Sequence, residues 1–274
     1  MTTARLGKLY LIPAPLDFGC ADDQQIAITD VIPKTTLEAA SRISYWICEN
    51  AKSARAVLKR IGEHYPLACP LQEMTITELP REAHKKGDHT ASATPGQASK
   101  GLPALSPAEA LLDKALQGLD VGLISEAGMP AIADPGSSIV RAAHARGIEV
   151  VPLVGPISLM LALAASGLNG QHFAFHGYLP QDAAARKMQI QALEKHAVKT
   201  GQSQLFIETP YRNAALLADL ISSLQPNTRL ACSIGVTLPS SKTVSLLVKD
   251  WRSTKGIAEA LLASKLPAIF LFGT

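Results

Sequence analysis

Short apolar runs alternate with stretches of mixed polarity through the first half of the chain. The apolar runs predict buried strands at 8–12, 44–48, 67–74, 121–124 and 148–154. The stretches between them have the spacing of amphipathic helices and predict helices at 37–44, 49–61, 107–116 and 138–146. Because buried strands that alternate with helices are typical of parallel sheets, we predict a doubly wound, five-stranded parallel sheet.

The pattern changes after residue 156. Strands are predicted at 173–178, 204–208, 229–236, 243–249 and 267–273, and helices at 159–167, 183–199, 213–224 and 255–263. Several late strands follow one another without a helix, which favours a mixed sheet. We therefore predict a two-domain α/β protein, with a parallel-sheet domain at 1–156 and a mixed-sheet domain at 157–274. The range 81–107 has almost no large apolar residues and is predicted to be a flexible insertion.

Three of the predicted strands in the first half end in sequences that cannot continue as regular structure. The strand at 121–124 runs into the small residues of SEAG at 125–128, and the strand at 148–154 runs into GPIS at 155–158. The first strand ends on PAP at 13–15, where two prolines disfavour helix and remove backbone donors. Open α/β sheets bind ligands at the carboxyl ends of their strands, so we expect a ligand site at this edge. The sequence lacks the GxGxxG fingerprint of dinucleotide-binding folds there.

The composition predicts a folded protein with a sizeable core, because the 274 residues are 47% hydrophobic and only 18% charged. No apolar run reaches the ~20 residues of a membrane span, and the first residues lack the apolar stretch of a signal peptide. We therefore expect a cytoplasmic protein without a membrane segment. The formal net charge of +3 permits RNA binding without requiring it. The candidate RNA contacts are Arg55, Lys59, Arg60, Lys85, Lys86, Arg186, Lys187 and Arg212.

The four cysteines are scattered, with neither a CxxC pair nor a Cys/His spacing that would bind a metal. We interpret them as thiols of the core and predict neither a metal site nor a disulfide framework. They are Cys20, Cys48, Cys69 and Cys232.

Four motifs then give the chain a family resemblance. PAP follows the first strand, SEAGMP with DPG behind it follows the central strand, and GPIS and FHGYLP come later in the chain. In this order they resemble the tetrapyrrole-methylase superfamily of S-adenosylmethionine-dependent methyltransferases, from Leu9 to about Phe272. Within that superfamily the chain is most similar to the small-subunit rRNA ribose-2′-O-methyltransferase group. The resemblance implies S-adenosylmethionine bound between two domains, a homodimer, and rRNA or the small ribosomal subunit as the partner.

The resemblance also implies which residues bind the cofactor. They lie at the ends of the first, central and fifth predicted strands and at the end of one strand of the second domain. They are Pro13, Ser125, Glu126, Ala127, Gly128, Met129, Pro130, Ile132, Gly155, Ile157, Ser158, Ile207 and Glu208.

A ribose hydroxyl is a poor nucleophile until a base takes its proton, so a catalytic carboxylate or histidine is expected. Glu49 and Glu208 are the catalytic candidates, and Asp17, Glu126 and His176 are further acceptors that the sequence does not rank. Each also has a structural interpretation; Glu208, for example, can form an ion pair with Arg212 four residues later. Asp134, by contrast, is predicted to cap the helix at 138–146.

The chain departs from the rRNA group where the substrate should approach. It has Asp17-Phe18-Gly19 where the group usually has Gly-Asn-Leu, and Glu49-Asn50-Ala51-Lys52 where it usually has Glu-Asp-Thr-Arg. Two alternatives therefore stay open. One is methylation of a tetrapyrrole or another small molecule, and the other is a non-catalytic protein that binds S-adenosylmethionine.

Overall fold

The computed structural model describes residues 5–17, 20, 25–80, 107–254, 256–263 and 265–274. The predicted insertion at 81–107 therefore lies outside the described residues, except for Pro107. The chain divides into two compact units, the first formed by residues 1–18 and 27–156 and the second by residues 19–26 and 157–274. No helix among the described residues is long and apolar enough to cross a membrane.

The first unit is built on a five-stranded sheet in the order β3-β2-β4-β1-β5. Its strands are β1 (Leu9–Ile12), β2 (Tyr45–Cys48), β3 (Thr75–Glu78), β4 (Val121–Ile124) and β5 (Val150–Pro152). Its helices are α1 (Ile28–Val31), α2 (Lys34–Ser41), α3 (Ala51–Gly62), α4 (Pro107–Ala110), α5 (Asp113–Leu116) and α6 (Ser137–Ala145). Every strand pair is parallel, which confirms the predicted parallel sheet.

Two sequence-based predictions in this unit are wrong in detail. Residues 67–74 form turns, and the third strand begins only at Thr75. Pro66 and Pro70 explain the difference, because a proline cannot donate to a strand ladder. The helix predicted at 107–116 is interrupted, so that α4 and α5 are separate single turns.

Apolar side chains cover both faces of this sheet, as a parallel sheet requires. Trp46 lies on one face with Leu58 of α3, and Leu123 lies on the other with Ile139 of α6. Trp46 is 1% exposed and its indole N–H donates to the Ile43 carbonyl at 3.0 Å. Because both faces of the sheet are buried, only the ends of its strands can form a ligand site.

The second unit contains a mixed sheet in the order β6-β7-β10-β8-β9. Its strands are β6 (Phe173–Phe175), β7 (Ser203–Glu208), β8 (Arg229–Ile234), β9 (Lys242–Leu247) and β10 (Ala268–Gly273). Its helices are α7 (Ser158–Ser166), α8 (Ala183–Thr200), α9 (Asn213–Ser223), α10 (Val248–Ser253) and α11 (Ile257–Leu262). Strands β6 and β7 are parallel and the other pairs are antiparallel, so the predicted mixed sheet is confirmed. Helix α10 was not predicted.

The core of the second unit is aromatic on one face of the sheet. Phe206, Phe270 and Phe272 are fully buried with Trp251, and the rings of Phe206 and Phe272 stack at 5.4 Å. Burying one such side chain contributes roughly 1.5 to 3 kcal/mol. Leucines of α7 and β7 fill the other face.

Candidate functional site

The carboxyl ends of three neighbouring strands are aligned in the first unit. Ile12 of β1 and Cys48 of β2 both pair with Ile124 of β4. The next residue of each strand, Pro13, Glu49 and Ser125, therefore leaves the sheet at the same edge. This register brings sequence-predicted site residues together from three distant parts of the chain.

The loop after β4, residues 125–136, is held in an unusual backbone conformation. Gly128 and Gly136 have positive φ angles of 75° and 135°, and Ala131 and Ala133 have φ angles of 65°. A positive φ is unfavourable for alanine because its Cβ crowds the backbone. Such strain persists only where surrounding contacts impose it, and it is concentrated at functional sites.

Hydrogen bonds impose this conformation. The Ala14 N–H donates to the Gly128 carbonyl at 2.9 Å, and the Gly128 N–H donates back to the Ala14 carbonyl at 3.0 Å. The Ala131 N–H donates to the Pro135 carbonyl at 3.2 Å. Gly128 thus has both of its backbone groups engaged, so its part in the site is to fix the loop and not to donate to a ligand.

Other backbone donors in the loop remain available. The N–H groups of Ala127 and Met129 donate to no other described residue. Ile132 is 42% exposed and adds an apolar surface beside them. Two uncommitted amides at a sheet edge can bind a carboxylate or a hydroxyl, which is the chemistry that a ligand with an amino-acid end and a ribose requires.

Three carboxyl groups meet at the same edge of the sheet. They belong to Glu49 after β2, to Glu126 after β4, and to Asp134 farther along the loop; all three are half-buried. Glu49 Oε2 accepts a hydrogen bond from the Glu126 N–H at 3.3 Å, and Glu126 Oε1 accepts one from the Ser53 hydroxyl at 3.4 Å. No group of three or more His, Cys, Asp or Glu within the described ranges has the arrangement to hold a metal ion.

The pKa of Asp134 is the one most affected by this arrangement. Burial, and after it the nearby charges of Glu49 and Glu126, together raise the pKa of its carboxyl from 3.8 to about 7. The Ser125 hydroxyl opposes the shift weakly. Asp134 therefore exchanges its proton near neutral pH, where an ordinary aspartate is ionised.

The predicted capping role of Asp134 is wrong. Helix α6 begins at Ser137, its N-cap residue is Gly136, and no side chain caps it. Asp134 lies two residues before the cap, on the loop that carries the other acid, Glu126. The sequence does contain a signal, because Glu126 and Asp134 are two acids in one loop. The pairing of β2 with β4 brings a third acid, Glu49, to the start of that loop.

Ser125 contributes a buried hydroxyl at the same place. Its residue is 3% exposed; its hydroxyl is close enough to the Asp134 carboxyl to lower that pKa, but within the described part of the chain its Oγ makes no hydrogen bond of normal geometry. A buried polar atom without a partner is costly, so it is expected to be satisfied by a ligand or by ordered water.

The β1 and β5 turns pack directly against each other. A Cβ atom at Gly155 would lie 2.2 Å from Pro13 Cγ and 2.5 Å from Pro13 Cβ, so only glycine allows this approach. The Thr36 hydroxyl donates to the Val154 carbonyl at 2.7 Å and fixes the β5 side of the contact. Gly155 is therefore needed for the shape of this edge.

Four of the sequence-predicted cofactor residues belong to the second unit. Ile157 is the N-cap residue of α7, where no side chain caps the helix, and Ser158 is its first residue. Ile207 and Glu208 end β7. The remaining nine lie on the first unit and surround its carboxyl edge: Pro13, Ser125, Glu126, Ala127, Gly128, Met129, Pro130, Ile132 and Gly155.

Glu208 forms the ion pair that the sequence suggested. Its Oε1 accepts hydrogen bonds from Arg212 Nη2 at 2.7 Å and Arg212 Nε at 3.0 Å. The same oxygen accepts from the Thr209 N–H at 2.7 Å and from its hydroxyl. The hydrogen bonds of Glu208 thus stabilise the loop after β7, and Glu208 is a poorer candidate for the catalytic base.

Several other candidate residues also have structural partners. Arg60 lies 3.0 Å from an Asp17 carboxylate oxygen, and Arg186 lies 2.6 Å from Asp219. His176 contacts Gln204 through a ring nitrogen at 2.6 Å. Lys85 and Lys86 lie outside the described residues.

The cysteines take no visible part in this chemistry. None of the four forms a disulfide within the part of the chain that the structure describes. Burial raises the pKa of Cys48 and of Cys232 to about 12, so both stay protonated and unreactive at neutral pH.

Curated proteins of known name are similar in sequence to about half of this chain. The chain matches ribosomal RNA small subunit methyltransferase I of Vibrio cholerae at 32% identity over 157 residues, 54% of this chain and 53% of that protein. It matches the protein of the same name from Pseudomonas aeruginosa at 39% identity over 137 residues, 49% of this chain and 47% of the relative. The aligned part thus spans about half the length of these curated relatives.

Solved structures share the fold over nearly the whole chain. The methyltransferase CobJ matches with a TM-score of 0.54 at 17% identity, covering 98% of this chain and 94% of that one. A uroporphyrin-III-C-methyltransferase from Thermus thermophilus matches with a TM-score of 0.50 at 18% identity, covering 97% and 94%. At such identities the likeness is one of fold.

The family model of tetrapyrrole (corrin/porphyrin) methylases matches residues 34–265, which include both sheets in large part and the loop after β4. This chain belongs to the tetrapyrrole (corrin/porphyrin) methylase family.

Proposed function

We propose that this protein is an S-adenosylmethionine-dependent methyltransferase that methylates a ribose 2′-hydroxyl of small-subunit rRNA. The observation that carries the proposal is the similarity to curated small-subunit rRNA methyltransferases, at 32% and 39% identity, in a chain whose family consists of methylases. The geometry of the β4 loop supports it, because the loop offers backbone donors and a proton acceptor at one sheet edge.

The carboxyl edge of the first unit suits the cofactor. S-adenosylmethionine, when bound, supplies an electrophilic methyl group on a sulfonium. The amides of Ala127 and Met129 are free to donate to its polar ends, and Ile132 offers an apolar contact. The family resemblance indicates further cofactor residues at this edge, Pro13, Ser125, Glu126, Pro130 and Gly155, and we include them in the proposal, with Gly128 fixing the loop that carries the amides. Its assignment of Ile157, Ser158, Ile207 and Glu208 in the second unit stays a prediction.

Asp134 is the residue that we assign as proton acceptor. In the transfer the methyl carbon forms a bond to the ribose oxygen as its bond to sulfur breaks, and the hydroxyl proton must leave. A base works best when its pKa lies near the working pH. The Asp134 carboxyl has a pKa of about 7, and Glu49 helps to raise it. Glu49 is therefore proposed to tune the pKa of Asp134 through its charge and not to take the proton itself.

The proposed substrate implies a cytoplasmic protein, because bacteria, the source of the named relatives, assemble their ribosomal subunits in the cytoplasm. The family resemblance implies a homodimer. Both are part of the proposal and are tested by fractionation and by light scattering of the purified chain, respectively.

Transfer of a tritiated methyl group tests the proposal. The full chain is incubated with tritiated S-adenosylmethionine and small ribosomal subunits from a strain that lacks the enzyme. We expect label at one nucleotide after nuclease digestion, on the ribose and not on the base. Label only in small organic extracts would favour a tetrapyrrole or other small acceptor. Binding of the cofactor without any transfer would favour the non-catalytic alternative.

A further inference from the structure

A cavity of about 540 Å³ lies in the second unit, beside the loops that follow β6 and β7. It is lined by Tyr178, Leu179, Pro180, Gln189, Thr209 and Arg212, among others. Its volume is in the range of sites that bind small organic groups. The first loop carries the GYLP part of the FHGYLP motif, and the second carries the sequence ETPYR.

The sheet explains why these loops meet. Strands β6 and β7 are parallel neighbours, with Phe175 paired to Leu205. The carboxyl ends of parallel neighbours lie at the same edge of a sheet, so the loops that follow them form adjacent walls. The Ile207 N–H donates to the Gly177 carbonyl at 3.0 Å and joins the two walls.

Two tyrosines stand exposed on these loops. Tyr211 is 80% exposed and Tyr178 is 57% exposed, although large aromatic rings gain free energy when they are buried. The Arg212 guanidinium carbon lies 5.7 Å from the centre of the Tyr211 ring, and Glu208 holds that guanidinium in place. Tyr178 and Arg212 thus line the cavity itself, and Tyr211 adds an exposed ring beside Arg212 on the second loop.

The cavity also has hydrogen-bonding groups. Gln189 of α8 is half-buried, and its side-chain amide makes no hydrogen bond within the described ranges. An amide can both donate to and accept from the edge of a nucleobase. Because Glu208 neutralises Arg212, the cavity is suited to a neutral flat group more than to a phosphate.

We infer that this cavity binds an unstacked nucleobase of single-stranded RNA, which stacks on Tyr178, and that a neighbouring base stacks on the exposed ring of Tyr211. The inference rests on the proposed function in its choice of RNA as the partner, and it names the part of the protein that grips the RNA. Proteins that bind single strands use aromatic side chains in this way, because every base has a face that can stack.

Equilibrium binding of a fluorescently labelled short single-stranded RNA to the full chain tests this inference. Replacing either tyrosine by alanine is expected to weaken binding by about 5- to 100-fold, which is the usual effect of losing one stacked base. Tyr211→Phe and Tyr178→Phe should bind within about two-fold of the unchanged chain, since phenylalanine keeps the stacking face. The slope of log Kd against log salt should stay the same in all four variants, because no phosphate contact is lost.

Val198→Ala is the matched control. Val198 is 62% exposed on α8, nine residues beyond Gln189 and hence about 13 Å farther along the helix. Its replacement should leave the affinity unchanged. The inference is overturned if the alanine variants bind RNA as tightly as the unchanged chain, if the phenylalanine variants lose as much as the alanine variants, or if the unchanged chain does not bind RNA. The measurement needs no methyl donor, so RNA binding that depends on the two rings supports the inference even where no methyl group is transferred.

Discussion

Asp134→Asn is expected to lower the rate of methyl transfer by about 10²- to 10⁴-fold, the range lost when a general base is removed. Asparagine keeps the shape of the side chain but cannot take a proton. Binding of S-adenosylmethionine should change little, because the proposed cofactor contacts at Ala127 and Met129 are made by the backbone. Single-turnover rates and calorimetry on the same preparations separate the two effects.

The pH dependence of the unchanged protein gives a second readout. Asp134 must be ionised to accept a proton, and its pKa is raised to about 7. The rate should therefore rise from about pH 6 to about pH 8 and level off above that, whereas the residual rate of the asparagine variant should lack this step. Glu49 and Glu126 are the charged groups that face Asp134, so Glu49→Gln should move the midpoint to lower pH.

Glu149→Gln is the control for these measurements. Glu149 precedes β5 at the opposite edge of the same sheet, where it pairs with Lys8 at 2.9 Å. Its loss should leave both the rate and its pH profile unchanged. An Asp134→Asn variant with an unchanged rate would remove Asp134 from the mechanism.

Asp134→Asn should raise the stability of the folded chain at alkaline pH, although it lowers the rate of methyl transfer. The pKa of Asp134 is higher in the folded chain than in the unfolded one, so the folded state binds the proton more tightly. The stability this provides is fully present below about pH 4 and is lost as the pH rises through about 7. At about pH 8 Asp134→Asn should be more stable than the unchanged chain by about 1 to 2 kcal/mol. This is less than the full free-energy equivalent of the pKa shift, because solvent screens the half-buried carboxyl. Urea unfolding at about pH 5 and pH 8 measures the difference.

Gly155→Ala is expected to have the second large effect. The new methyl group would lie 2.2 Å from Pro13 Cγ, and the proline ring cannot rotate away. Relieving the clash must separate the β1 and β5 turns, which should cost about 1 to 3 kcal/mol of stability. Displacing this edge should also weaken binding of S-adenosylhomocysteine by about 10- to 100-fold.

Gly170→Ala provides the matched control for this substitution. A Cβ atom at Gly170 would meet nothing within 4 Å, and its backbone is not in the region reserved for glycine. Its stability and its affinity for S-adenosylhomocysteine should equal those of the unchanged chain. Equal affinities in Gly155→Ala and Gly170→Ala would show that the contact with Pro13 does not shape the cofactor site.

The sequence was sufficient to predict both sheets, because apolar runs such as 121–124 and 229–234 are long enough to mark buried strands. It was misleading at 67–74, where the apolar residues pack against the core without joining a ladder. Prolines at positions 66 and 70 exclude those residues from the sheet, and apolar content alone does not reveal this.

The acids of the candidate site were harder to predict. Glu49 and Glu126 become neighbours only because Cys48 and Ile124 are paired, and that register joins residues far apart in the chain. Asp134 was predicted as a cap because Asp before a helix usually is one. The loop instead turns through Ala131 and Ala133 at positive φ, which no local propensity predicts. The cavity between the loops after β6 and β7 likewise depends on a strand pairing.

The central claim is that backbone groups at the carboxyl edge of the parallel sheet hold the methyl donor. The most direct test is to titrate the isotope-labelled chain with S-adenosylhomocysteine and to record the NMR shifts of its backbone amide resonances. We expect the largest saturable shifts at Ala127, Met129 and Gly155, and none at Glu149 on the opposite edge. Saturable shifts confined to other parts of the chain, or no shifts at all, would contradict the account.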